Sequence, residues 1–175
     1  MNHIFSSQLF SITVLCLATG CSGKTEQHYT KDGLEFSCPR DWKVTEFGKT
    51  ENLRYVTIEG KHAIVSIEVV KLSSAEGARG IEEFAKQMAT EGSLGVGNVG
   101  KSSLGPVEKS GIYDTLRETF MVSASNLNMP FTRIHRRGVF GSAVCFLFVQ
   151  SADEDWDKVN SGFDQIFTTF RYQEP

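Results

Sequence analysis

Gly95-Val96-Gly97-Asn98-Val99-Gly100-Lys101-Ser102 matches GxxxxGKS, the pattern in which backbone amides, a lysine and a hydroxyl cradle nucleotide phosphates, and it also contains GxGxxG. Such a loop works only where a strand feeds it and a helix leaves it, because the helix N-terminus supplies converging amides. Here a helical pattern precedes the glycines, and Leu104-Gly105-Pro106 follows them, so no helix can grow from Lys101. Asp153 or Glu154 could be cast as the Mg²⁺ carboxylate, but both stand where an acidic helix start is expected. A flexible glycine-rich loop over 93–106 explains the same residues, and no nucleotide is expected to bind.

The second candidate is basic. Arg133, His135 and Arg137 alternate with other residues, so on a strand they point to one side, with Arg136 between them. Arg117, on the preceding strand, is placed across from them. Such a face would bind an acidic partner or lipid headgroups. A solvated face of a half-exposed antiparallel sheet accounts for the same residues. A hydrolase built on His135 would need a carboxylate such as Asp114 within hydrogen-bond reach. No GxSxG elbow occurs, and Glu82, Glu83 and the acids from Asp153 to Asp157 read as exposed helix and cap residues. The expectation is therefore no catalytic residue, no cofactor and no metal, the four histidines showing no ligand spacing.

At 175 residues with net charge −3, the chain has room for one domain and lacks the strongly basic balance of a nucleic-acid binder. Residues 1–20 contain no Lys, Arg, Asp or Glu. Their apolar run from Leu9 to Ala18 suits a signal-peptide core and is too short to span a bilayer. It ends in Leu17-Ala18-Thr19-Gly20-Cys21, which resembles the lipobox of bacterial lipoproteins, although Met1-Asn2-His3 lacks the usual Lys or Arg. That resemblance implies cleavage before Cys21, acylation of its thiol, and export to a cell-envelope membrane, facing the periplasm. Two or more acyl chains hold a protein on a membrane stably, where one does not. An exported domain also meets little ATP. Cys38 and Cys145 then remain; in an oxidising compartment they invite a bridge, yet both sit in apolar strands, where a free thiol behaves as a small buried hydrophobe.

The elements that would position these residues follow from periodicity. Residues 22–28 read as a polar tether completing a lipidated segment 21–28. Strands are expected over 33–38, 42–47, 53–59 and 62–72, the last two joined by a turn at Gly60-Lys61. Ile81, Phe84, Ala85 and Met88 form the stripe of a helix ending near Gly92. Strands over 111–123, 131–140 and 142–150 come next, with Ile112, Leu116, Phe120 and Val122 on one face. A closing helix carries Trp156, Val159, Phe163, Ile166, Phe167 and Phe170. Strands, helix, strands, helix describes an α+β domain: a central antiparallel sheet of about six to seven strands with two main helices packed on it.

The opening Gly-Leu-Glu-Phe-Ser-Cys-Pro-Arg-Asp-Trp, the Phe84-centred helix and the closing helix resemble PsbP-like (Mog-type) domains over most of 29–173. Small DcrB-like bacterial lipoproteins combine that fold with a lipobox. The resemblance implies an α/β/α sandwich acting as an accessory, assembly or partner-binding domain rather than an enzyme. The expected partners are the membrane, through the N-terminal lipid, and a protein of the envelope. The alternative is a domain that binds a small ligand beside the glycine-rich loop, which would need a concave cavity there.

Overall fold

The computed structural model describes residues 26–49, 53–91, 98–124 and 127–174. The chain opens with β1 (Glu26–Lys31), β2 (Leu34–Pro39), β3 (Lys43–Lys49), β4 (Leu53–Gly60) and β5 (Ala63–Lys71). The short α1 (Ala75–Ala78) and α2 (Ile81–Glu91) follow. Then come β6 (Asn98–Val99), β7 (Ser103–Ser110), β8 (Tyr113–Ala124), β9 (Leu127–Phe140) and β10 (Ala143–Ala152). A single 3₁₀ turn leads into α3 (Trp156–Thr169), and β11 (Arg171–Tyr172) comes last.

Alternating strands with tight turns pair antiparallel, and here they form one large sheet in the order β3-β4-β5-β10-β9-β8. β6 and β7 run one after the other along the free edge of β8. A smaller sheet, β1-β2-β11, lies apart from it. Gly111 (φ 62°) and Gly141 (φ 60°) open the β7–β8 and β9–β10 turns. Asp32 (φ 47°) and Gly33 (φ 79°) make the two-residue turn between β1 and β2, where positive φ at both positions matches the strand twist.

Two expectations are corrected. Glu26 to His28 are not tether but belong to β1, paired with 37–39 of β2. The stretch 93–106 is not all loop: Asn98-Val99 and the chain from Ser103 pair with β8. Pro106 is tolerated there because it falls where the register shifts between Leu104 and Val107, at what is an edge strand among the described residues.

The sheet is covered on both faces. On one, Val56, Ile58, Val65, Ile67, Leu147 and Val149 pack against the small sheet and the α3 stripe. Trp42 closes that layer. Its indole lies so close to Gly60 and Gly162 that a Cβ at either would stand 2.7 Å from a ring atom. On the other face, Phe84 of α2 meets Val70, Val144, Phe146 and Phe148, while Ile81 and Ala85 meet Leu116. Ile112, expected on this face, instead lies in the β7–β8 turn and is 60 % exposed, because the strand begins one residue later. Cys38 and Cys145 are free, buried members of the first core layer.

Candidate functional site

The β8–β9 register decides the fate of the basic run. Arg133 lies opposite Glu118 and His135 opposite Leu116, whereas Arg117 lies opposite Ile134. Side chains alternate across a strand, so Arg117 points to the opposite face from Arg133, His135 and Arg137. The expected basic face is therefore two separate sites, and its larger part is interior. Arg133 is 2 % exposed and His135 is fully buried. Neither can offer a solvated or partner-facing surface.

Beneath α2 these residues form a closed cluster. The Arg133 guanidinium donates from Nη1 to Glu118 Oε2 at 3.1 Å, and from Nε to Gln150 Oε1 at 2.8 Å. Its plane lies between the rings of Phe120 and Phe148, 4.8 and 5.0 Å from their centroids. His135 Nε2 donates to the same Glu118 oxygen at 2.8 Å, and the Phe84 ring seals the imidazole edge-on at 5.7 Å. Burial pushes the His135 imidazole down from its ordinary value, outweighing the opposing pull of Glu118, so the ring is neutral. Burial pushes the Glu118 carboxyl up, but the His135 hydrogen bond and the Arg133 charge prevail and hold it below the ordinary range. One carboxylate thus balances one guanidinium in a site that water does not reach.

Glu118 is the member that sequence reasoning missed. It stands between Leu116 and Phe120 in an otherwise apolar stripe, and a charge in that position was the available signal. The carboxylate proposed for His135 was the wrong one: Asp114 instead faces Lys109 and Arg137, at 3.8 and 3.9 Å. His135 has no exposed atom to present to a substrate, which removes the hydrolase built on it. Arg137, half-buried, donates from Nε to the Arg79 carbonyl at 2.9 Å, and Arg79 bonds Glu68 at 2.8 Å, so it too is engaged in holding α1 and α2 to the sheet.

An open groove lies on the other face. α3 sits over β2 and β10 and leaves the β7–β8 flank uncovered, so the outer sheet and the helix enclose a cavity of about 620 Å³. Its floor is Thr115, Arg117 and Ile134, one wall is the bulged start of β7, and the other is Trp156, Asn160 and Asp164. The Arg117 guanidinium rests 5.7 Å from the Trp156 ring centroid. Beyond this pair a second hollow of about 400 Å³ continues past Thr119 to Asp153 and Asp157. Of the expected basic face, only Arg117 belongs to this groove.

The remaining candidates fall elsewhere. Cys21 and residues 95–97 lie outside the described residues, but Asn98 onward passes into strands, so no helix follows Lys101. The acids at the start of α3 do not hydrogen-bond its first amides; Asp155 instead bonds His62 Nδ1 at 2.8 Å and pairs with Lys158 at 2.5 Å. Burial raises the Cys38 thiol to about 11 and pushes Cys145 higher still, so both are protonated and inert at neutral pH.

A large antiparallel sheet with α2 on one face, and α3 and the small sheet on the other, is the α+β architecture that these strands and stripes imply. No family model matches the chain, and no curated protein matches it in sequence. Among solved structures, it is similar to the cyanobacterial PsbP (CyanoP) from Synechocystis sp. PCC 6803, with TM-score 0.58 and 15% identity over 91% of this chain and 99% of that one. LpqN, described as involved in cell envelope biogenesis of Mycobacterium tuberculosis, matches with TM-score 0.46 and 12% identity over 84% of this chain and 88% of that one. The chain has the PsbP-like fold.

Proposed function

We propose that this chain is an exported, lipid-tethered, non-catalytic domain that binds a protein partner of the cell envelope through the groove between β8 and α3. The observation that carries this reading is the division of its polar residues. The Glu118, Arg133 and His135 cluster is buried and closed off under α2, whereas the groove keeps polar and aromatic side chains open to solvent. A PsbP-like fold and the Cys21 lipobox support an accessory role outside the cytoplasm. Fold alone leaves activity open, so the weight rests on the site.

A photo-crosslinking residue at Thr119, exposed in the groove, tests the surface in intact cells. The expected result is a discrete adduct that is absent when the same residue replaces Glu82 on the outer face of α2. Equal adducts from both positions, or none from Thr119, would refute the groove. Tethering is tested separately, by fatty-acid labelling that Cys21→Ser should abolish.

A second reading has one specific observation in its favour. The cavity volume lies within the range of small-molecule sites, so a compact polar ligand in the same groove is the alternative. Soaking with fragment mixtures and saturation-transfer NMR would find it at Thr115 and Asn160.

A further inference from the structure

Four carboxylates and a single guanidinium line the two joined hollows: Glu108 and Asp164 in the larger, Asp153 and Asp157 in the smaller, with Arg117 shared. Acidic residues at Asp153 and Asp157 could be attributed to the positive start of α3. Glu108 on β7 and Asp164 well along the helix have no such explanation. Among the described residues, no hydrogen bond or ion pair engages the side-chain carboxylates of Glu108, Asp153 or Asp157. Arg136, lying 3.9 Å from the Phe167 ring centroid, draws on Asp164 but leaves the groove acidic. The aromatic wall points the same way: Trp156 already carries a cation on its face.

The carboxylates are spread along the groove rather than converging. From Asp157 to Asp164 the helix advances about 10 Å, the length of about three residues of extended chain, and Asp153 lies a turn further back in the 3₁₀ segment. That spacing suits neither a single metal ion nor one ammonium group. It suits a row of positive charges, and Thr115, Thr119 and Asn160 between them can hydrogen-bond peptide amides. We infer that the groove takes an extended, lysine- or arginine-bearing peptide segment of the partner. This rests on the groove being the binding surface, and it reverses the sign expected from the basic run: the chain offers negative charge and seeks positive.

The test uses the full chain and fluorescein-labelled hexalysine, read by fluorescence anisotropy at low and moderate salt. Binding is expected, weakening as salt rises. The Glu108→Lys/Asp164→Lys pair, exposed and away from the helix start, should weaken it on the order of tenfold or more. Arg117→Glu should tighten it, by freeing the Trp156 face and removing the resident cation. Far-UV circular dichroism and urea midpoints confirm that each variant folds, and Asp157→Lys serves as a second reversal in the other hollow.

Absence of binding, indifference to the reversals, weakening by Arg117→Glu, or equally tight hexaglutamate would overturn the inference. Displacement of the peptide by spermine at matched charge would overturn it too, assigning the groove to a small polyamine. The outcomes separate the two levels. A Thr119 adduct with a partner whose crosslinked segment lacks Lys and Arg sinks the cationic peptide and leaves the groove standing; no adduct removes both.

Discussion

Replacing Glu118 by Gln keeps the shape of the side chain and one acceptor but removes the carboxylate that pairs with Arg133, which is 2 % exposed. Breaking a buried pair by removing one partner costs about 3–5 kcal/mol, and the retained amide acceptor for His135 and Arg133 puts this variant near about 3. For a domain of this size that loss lowers Tm by roughly 6–12 °C. Arg133→Met strands the carboxylate and forfeits the stacking on Phe120 and Phe148, so it should cost at least as much. The double variant leaves no buried charge, and its cost should fall short of the sum by roughly 1–3 kcal/mol. Urea unfolding with unchanged m-values provides the measurement. Additive effects, or a Glu118→Gln variant within about 0.5 kcal/mol of the parent, would refute the closed cluster.

The same cluster sets an acid dependence. His135 is held below 6.5 and Glu118 below 4.5, so for each group the unfolded chain binds protons first on acidification. Stability contributed by both is fully present above pH 6.5; the His135 part is lost as pH falls from 6.5 towards its folded value, and the Glu118 part below 4.5. Urea midpoints across that range should decline in two stages, and Glu118→Gln should lack the second. Phe84→Ala, opening the lid over His135, should cost about 3–5 kcal/mol and speed imidazole exchange seen by NMR. Gly162→Ala drives a Cβ to within 2.8 Å of Pro39 and closer to Trp42, so destabilisation of about 1–3 kcal/mol with altered Trp fluorescence is expected. Cys38 and Cys145 should resist iodoacetamide in the native protein and react after denaturation, as peptide mapping would show; rapid native labelling would contradict their burial.

What could be read in advance follows the range of the underlying interaction. The helices were legible because Ile81, Phe84, Ala85 and Met88, and then Val159, Phe163 and Ile166, repeat within one turn of one another. β1 was missed because its residues are polar and mostly exposed, although Asp32-Gly33 carried the turn chemistry of a hairpin. β7 was missed because Gly105 and Pro106 read as breakers, and only the free edge of β8 makes them a bulged edge strand.

Composition and pattern alone determined an α+β chain and its two amphipathic helices, since each is local in sequence. Tertiary structure alone decided which way the basic run points. A strand has two faces of equal standing until its neighbours are known, and a shift of one residue exchanges them. The pairing of β8 with β9, and the placing of α2 over one face and α3 beside the other, sent Arg133 and His135 inward to Glu118 and left Arg117 in an acidic groove.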